Sequence, residues 1–158
     1  MDLIEELVGL SEAFDAASID YAVCGGIALA IHGHPRFTKD IDVLIRVEDL
    51  ERALSAAGSR GFILEGGRLT FQTGTPAERS MFRVSKARGA HLLTLDLLLA
   101  GREYDSVWSS RRTVEFQGRR VGVVSREGLI AMKRAAGRGQ DLLDIEKLQA
   151  PDPEGDLG

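Results

Sequence analysis

The sequence is poor in the residues that anchor or cross-link other classes of protein. Among its 158 residues there are one cysteine, three histidines and 6% aromatic residues. A single cysteine excludes an internal disulfide, and three scattered histidines do not make a zinc framework. No apolar run approaches the ~20 residues that cross a bilayer, and the opening MDLIEELVGL lacks the basic region of a signal peptide. We therefore expect a cytoplasmic protein with no membrane partner.

Positively charged residues are fewer than negatively charged ones. The chain has 20 Lys and Arg against 24 Asp and Glu, which gives a formal net charge of -4. A protein that grips nucleic acid without sequence preference usually needs a net basic face. Arginines cluster locally at 79–88, 111–120 and 134–138, but a solvated face is the simpler interpretation of each cluster. Extensive nonspecific nucleic-acid binding is therefore not expected.

The length and the hydrophobic periodicity predict one α/β (α+β) domain over residues 1–150. Its core is expected at 1–124 and a pair of helices within 125–149, with a flexible acidic tail at 151–158. Helices are predicted at 2–17, 27–31, 48–57, 126–136 and 140–149. Strands are predicted at 21–24, 40–47, 62–65, 69–73, 81–86, 91–99, 114–117 and 120–124. Short connections favour antiparallel neighbours, so the sheet should be mixed and mostly antiparallel, flanked by helices.

Two aspartates in the second predicted strand are the first candidate site residues. Residues i and i+2 of a strand project from the same face, so Asp40 and Asp42 in KDIDVLI place two carboxylates side by side. Carboxylates this close repel each other unless they are protonated or neutralised, and hard oxygen ligands suit Mg²⁺ carrying a nucleotide's phosphates. Two solvated acids at a strand start are the alternative.

A glycine pair lies upstream, between a predicted strand and a predicted helix. Gly25 and Gly26 would let backbone N–H groups converge where phosphate oxygens can sit, because only glycine permits so close an approach. A plain tight turn is the alternative. Asp96 is the third candidate, since it is isolated in the apolar run HLLTLDLLLA. A carboxylate there needs a metal or a cation, and an arginine partner is the alternative to a metal or base role.

The segment CGGIALAIHGHPRFTKDIDVLI, residues 24–45, resembles the signature of the DNA polymerase beta-like nucleotidyltransferase superfamily. More narrowly, it is similar to the small bacterial branch that includes abortive-infection nucleotidyltransferase toxins of type IV toxin–antitoxin systems and minimal nucleotidyltransferases. The matching positions are Gly25, Gly26, Ala28, His32, Gly33, Arg36, Thr38, Asp40 and Asp42. Near the carboxyl end Lys133, Arg138, Asp141 and Asp144 also fit, while Gln140 stands where relatives carry a lysine.

The resemblance implies a nucleotidyltransferase fold and transfer of a nucleoside monophosphate from an NTP to an acceptor hydroxyl. Asp40, Asp42 and Asp96 would be catalytic and would bind Mg²⁺ or Mn²⁺. The nucleotide would be bound by Gly25, Gly26, Arg36, Thr38, Lys133 and Asp141. The acceptor would be a protein, a tRNA end or a small molecule, and a cognate antitoxin or regulatory protein would be a further partner.

Two other functions stay open at this point. Gln140 removes a cation from a position that faces the nucleotide in relatives, which is compatible with a catalytically degenerate nucleotide-binding or partner-binding module. A nucleic-acid-binding protein without catalysis is disfavoured by the acidic balance. The sequence does not select the NTP or the acceptor.

Overall fold

A seven-stranded sheet lies at the centre of the fold in a computed structural model, which describes residues 2–75 and 78–150. The strands are β1 (Ala22–Cys24), β2 (Asp40–Arg46), β3 (Leu64–Phe71), β4 (Arg79–Arg88), β5 (His91–Ala100), β6 (Arg112–Phe116) and β7 (Arg119–Val123). Their order is β3-β4-β5-β2-β1-β7-β6. The pairs β1–β7 and β2–β5 are parallel and the other four are antiparallel. The prediction of a mixed, mostly antiparallel sheet is confirmed.

Six α-helices accompany the sheet within the described residues. They are α1 (Leu3–Ala16), α2 (Gly25–Ile31), α3 (Leu50–Gly58), α4 (Asp105–Ser109), α5 (Arg126–Ala136) and α6 (Gly139–Gln149). The amphipathic stripe predicted for the first helix is present, because Leu7, Leu10 and Phe14 are buried against the core. The Asp2 side chain accepts a hydrogen bond from the Ile4 N–H at 2.9 Å and so caps this helix. None of the described helices has the length and apolar character needed to span a membrane.

The core lies in the central strands, whose branched side chains are fully buried. Ile41, Val43 and Ile45 of β2 and Leu95 and Leu97 of β5 have at most a trace of exposed surface. These two strands pair in parallel over seven residues, from Asp40 opposite Thr94 to Arg46 opposite Ala100. Because β2 is anchored along its whole length, the two aspartates at its start are held rigidly at the edge of the core.

The structure differs from the sequence predictions of local structure in three details. The strands predicted at 62–65 and 69–73 form the single strand β3, whose pairing with β4 shifts register between Glu65 and Gly67. A bulge at that point absorbs the glycines that we interpreted as a break. The helix predicted at 48–57 begins as a 3₁₀ turn over Val47–Asp49 and becomes α-helical only at Leu50.

The third difference is the turn between β6 and β7. The sequence predicts it at residues 118–119, whereas Gln117 and Gly118 form it, both with positive φ of 53° and 74°. Two consecutive left-handed residues are typical of a two-residue hairpin whose twist matches that of its strands. The short helix α4 was not predicted.

The two carboxyl-terminal helices follow the sequence prediction closely. The Ser125 side chain accepts a hydrogen bond from the Gly128 N–H at 3.0 Å and so caps α5, as predicted. Gly137 ends that helix in the left-handed conformation, with φ of 65°. The tail predicted at 151–158 lies outside the described residues.

Candidate active site

A row of four residues crosses four neighbouring strands at the mouth of a cleft. Cys24 lies opposite Asp42, Asp42 opposite Asp96, and Asp96 opposite Arg83 in the sheet register. Side chains at register partners project from the same face, so Asp42 and Asp96 face the cleft together. Asp40, two residues before Asp42, lines the same cleft. The structure thus brings together all three carboxylates predicted from the sequence.

The cleft has a volume of about 590 Å³ and extends from the glycine pair to the strand β3 at the edge of the sheet. The helices α5 and α6 contribute the facing wall. All nine candidate site residues predicted from the sequence line this cleft, namely Gly25, Gly26, Arg36, Thr38, Asp40, Asp42, Asp96, Lys133 and Asp141. Their assignment to catalysis, metal or nucleotide stays a prediction.

The glycine pair is packed directly against the side chains of the candidate site. Gly25 has a φ of +65°, and a Cβ at that position would lie 2.8 Å from the Asp42 Cγ. A Cβ on Gly26 would lie 2.9 Å from the Thr38 Cβ and Oγ1. The glycines are therefore required for the approach of the chain's own Asp42 and Thr38, a constraint that adds to the predicted approach of a phosphate.

Asp42 is the most perturbed carboxyl group of the cleft. Burial raises its pKa to about 7, and the negative charges of Asp96 and Asp40 add to the increase. The positive charges of Arg138 and Lys133 act in the opposite direction without cancelling it. A carboxylate with a raised pKa beside two others binds a cation favourably, because a cation relieves the repulsion that opposes ionisation.

Asp96 makes the arginine contact that the sequence left as an alternative. Its two carboxylate oxygens accept hydrogen bonds from Arg83 Nε and Nη2 at 2.8 and 3.0 Å. Asp96 is 5% exposed, so this two-pronged ion pair neutralises a largely buried charge. Within residues 2–75 and 78–150, no three His, Cys, Asp or Glu side chains are grouped so that they could hold a metal ion.

Lys133 is tied to the base of the cleft by a buried ion pair. Its Nζ donates to Asp144 Oδ2 at 2.9 Å and lies 3.7 Å from Asp141 Oδ1. Asp144 also forms an ion pair with Arg36 Nη1 at 3.0 Å and is itself fully buried. Two predicted nucleotide-binding cations, Lys133 and Arg36, therefore converge on one carboxylate, which fixes their side chains beside the cleft.

The opening of α6 holds the remaining charges. Arg138 donates to Asp141 Oδ2 from Nε at 2.7 Å and from its backbone N–H at 3.1 Å. Although burial alone would raise the pKa of Asp141, these hydrogen bonds lower it. Gln140 does not line the cleft and donates from Nε2 to Asp144 at 2.9 Å, whereas the exposed Arg138 does line it. Arg138 thus places a cation in the cleft two residues before the glutamine.

Several cleft residues escaped the sequence analysis. They are Arg83 and the residues of the distal half, namely Phe71, Arg79, Met81, Leu98, Tyr104, Met132 and Ala136. Arg138 fitted the family pattern but was given no role. Tyr104 is buried and also forms part of the cleft wall. In β4 the sequence offered one signal, the alternation of side chains between the two faces of a strand. It places Arg79, Met81 and Arg83 on the same face. Which strand pairs with the Asp96 strand is decided only by the tertiary fold.

Most of the chain corresponds to one protein family. The family model described as "Nucleotidyl transferase AbiEii toxin, Type IV TA system" matches residues 7–157. A comparison with curated protein sequences gave no match.

Solved structures share the fold at low sequence identity. The lincosamide antibiotic adenylyltransferase LnuA, solved with lincomycin bound, is 12% identical with a TM-score of 0.59, over 92% of this chain and 96% of LnuA. ANT(2")-Ia, solved with adenylyl-2"-tobramycin, is 16% identical with a TM-score of 0.57, over 92% of this chain and 86% of that one. JHP933 from Helicobacter pylori is 19% identical with a TM-score of 0.52, over 92% of this chain and 63% of that one. These similarities establish the nucleotidyltransferase fold.

Proposed function

Since the chain belongs to the AbiEii family of nucleotidyltransferase toxins of type IV toxin–antitoxin systems, we propose that it transfers a nucleoside monophosphate from an NTP to an acceptor hydroxyl. The observation that carries this proposal is the row of Asp42 and Asp96 beside the glycine pair, all facing one cleft. In this role the chain would act as a toxin, with a cognate antitoxin as its regulatory partner.

The reaction would be an in-line displacement at the α-phosphorus. The acceptor oxygen forms a bond to phosphorus, the bond to the bridging oxygen breaks, and pyrophosphate leaves with that electron pair. Asp96 would accept the hydroxyl proton. The backbone N–H groups of Gly25 and Gly26 would hold the departing phosphates, and Arg138 would add a positive charge on the opposite wall.

The donor set fits a hard divalent cation. Asp40 and Asp42 supply carboxylate oxygens, and the burial and the neighbouring negative charges that raise the pKa of Asp42 are costs that a bound cation would offset. Mg²⁺ or Mn²⁺ held there would neutralise charge on the phosphates. Asp96 would join as a ligand only if it released an oxygen from Arg83.

Two measurements test the proposal. In a thermal-shift panel of the four NTPs, at least one should raise the melting temperature, and Mg²⁺ should enlarge the increase. Labelled NTP should then transfer label to the protein itself or to a cell extract, and Asp42→Asn should abolish that transfer. An NTP-dependent shift without any transfer would favour the degenerate binding module, and no shift with any NTP would refute both nucleotide functions.

The acceptor is a separate question from the donor. LnuA and ANT(2")-Ia were solved with an antibiotic or its adenylylated product, so a small hydroxyl compound is one candidate class for this chain. A protein side chain and a tRNA end are the other two. The charged residues that line the two halves of the cleft bear on this choice.

A further inference from the structure

One cation in the cleft differs from the others in having no opposite charge beside it. The cleft-lining cations Arg36 and Lys133 pair with Asp144, Arg83 pairs with Asp96, and Arg138 pairs with Asp141. Arg79, which also lines the cleft, forms no ion pair with a carboxylate within the described part of the chain. Among the described cleft-lining cations Arg79 is thus the one whose charge no carboxylate neutralises within ion-pair distance, so an anionic ligand in the cleft would be favoured beside its guanidinium.

The surroundings of Arg79 are aromatic and apolar. Its guanidinium carbon lies 5.3 Å from the centre of the Phe71 ring, which is 40% exposed. Tyr104, which is 4% exposed, lines the same part of the cleft as Arg79. Met81 and Leu98 complete this wall. The distal half therefore offers one positive charge without a carboxylate partner, beside a partly exposed aromatic ring.

This distal half lies on the acceptor side of the proposed reaction. Attacking and leaving oxygens occupy opposite sides of the phosphorus in an in-line displacement. The glycine pair follows β1, and β3 is four strands away, which is roughly 19 Å at about 4.8 Å a strand. Asp96 on β5 lies midway. With pyrophosphate leaving towards the glycine pair, an acceptor approaching Asp96 would lie over β4 and β3.

We infer that Arg79 and Phe71 bind the acceptor, and that the acceptor is an anionic hydroxyl compound with a planar group. Its phosphate or carboxylate oxygen accepts a hydrogen bond from the Arg79 guanidinium, and its planar group packs on Phe71. A polycation such as an aminoglycoside is disfavoured, because it would meet an unpaired charge of its own sign. The inference rests on the proposed function, since that function defines which half receives the acceptor.

Methionine methyl groups provide a direct readout of this half. Two of the three methionines, Met81 and Met132, line the cleft, and Met1 begins the chain. In protein labelled with ¹³C at the methionine methyls, a non-hydrolysable NTP analogue with Mg²⁺ is first added to saturation. Phenyl phosphate, phenol, tobramycin and a trinucleotide RNA are then titrated separately while the NMR signals of the two cleft methyls are followed.

Phenyl phosphate should move the Met81 and Met132 signals and should bind roughly 10- to 100-fold tighter than phenol, as expected for a charge-assisted hydrogen bond. Arg79→Gln should remove that advantage, and Arg79→Lys should restore part of it. Arg88→Gln, at the exposed far end of the same strand, should change nothing. If the trinucleotide binds more tightly than phenyl phosphate, the acceptor is a nucleic-acid end. If it binds equally or more weakly, the acceptor is a small molecule.

Equal binding of phenol and phenyl phosphate, an unchanged affinity in Arg79→Gln, or a response to tobramycin alone would overturn the inference. The proposed function fails separately. If the NTP analogue moves no signal and raises no melting temperature while phenyl phosphate still binds through Arg79, the nucleotide site is refuted and the anion site stands. If the analogue binds and phenyl phosphate does not, the nucleotide site stands and the acceptor assignment falls.

Discussion

At the scale of single residues, the ionised Asp42 carboxylate that would bind a cation also destabilises the metal-free fold. Its folded-state pKa of about 7 lies above the unfolded value of about 3.9. The carboxyl group therefore leaves the free energy of unfolding unchanged near pH 4, where it is protonated in the folded state. Its destabilising effect grows as the pH rises towards 7 and is complete above that pH. A cation at the site would relieve this destabilisation, because it stabilises the ionised form.

Asp42→Asn should accordingly stabilise the metal-free protein. At pH 8 in EDTA we expect a melting temperature roughly 3–6 °C above that of the wild type, equivalent to about 1–2 kcal/mol after allowing for screening by water in the cleft. The difference should shrink towards pH 4. Asp20→Asn, at an exposed position, serves as the control and should leave the melting temperature unchanged at both pH values. A lower melting temperature for Asp42→Asn at pH 8 would contradict the pKa argument.

Arg83 and Asp96 illustrate what a residue-scale view can and cannot predict. The isolation of Asp96 in an apolar strand was enough to demand a cation or a metal. The identity of that cation follows from the antiparallel pairing of β4 with β5, which places Arg83 directly opposite. Long-range pairing of this kind has no local signal, because any of the chain's arginines satisfies the same chemical requirement.

At the scale of elements, Asp144 joins three separate parts of the chain. It accepts from Lys133 of α5 and Gln140 of α6 and pairs with Arg36 of the loop before β2. Burial by itself would raise the pKa of Asp144, but these hydrogen bonds and charges lower it. Its stabilising contribution is therefore present above the unfolded pKa near 4 and is lost as the pH falls through the folded value.

Removing this carboxylate should loosen both helices from the sheet. We expect Asp144→Asn to lower the free energy of unfolding at pH 7 by about 3 kcal/mol, since it leaves Lys133 buried without its closest partner. Urea unfolding at pH 7 and pH 3 should show that the difference narrows in acid. Asp49→Asn breaks the exposed pair with Arg52 and should cost under about 1 kcal/mol. Similar losses in the two variants would refute the importance of burial at Asp144.

At the scale of the whole molecule, the proposed toxin function predicts a phenotype. Induced expression in a bacterial host should arrest growth, because transfer of nucleoside monophosphate would modify an essential acceptor. Asp42→Asn, accumulated to the same soluble level, should permit normal growth. Colony counts after induction measure the effect. Arrest by both forms would show that the cleft chemistry is not its cause.

Local patterns predicted most of the elements and the three carboxylates. Three of these patterns depend only on neighbours within a few residues, namely the alternation in β2, the apolar stripe of α1 and the Ser125 cap. They can therefore be predicted from the sequence alone. The strand β3 was divided in error because Gly66 and Gly67 indicate a turn locally, and only pairing with β4 turns them into a bulge. The short helix α4 has too few residues for a periodic pattern.

The motif at residues 24–45 was sufficient to predict the family, the fold and the acidic pair, since its spacing is set by one strand, one turn and the next strand. The distal half of the cleft depends on strand order, because β3 and β4 reach Asp96 through contacts between residues far apart in the chain. The same contacts between distant residues pair Arg36, Lys133 and Arg83 with carboxylates. They leave Arg79 without such a partner among the described residues. The local sequence pattern thus determined the half of the cleft that holds the glycine pair and the aspartates of β2, and tertiary packing decided the distal half, because its residues meet only when distant strands pair.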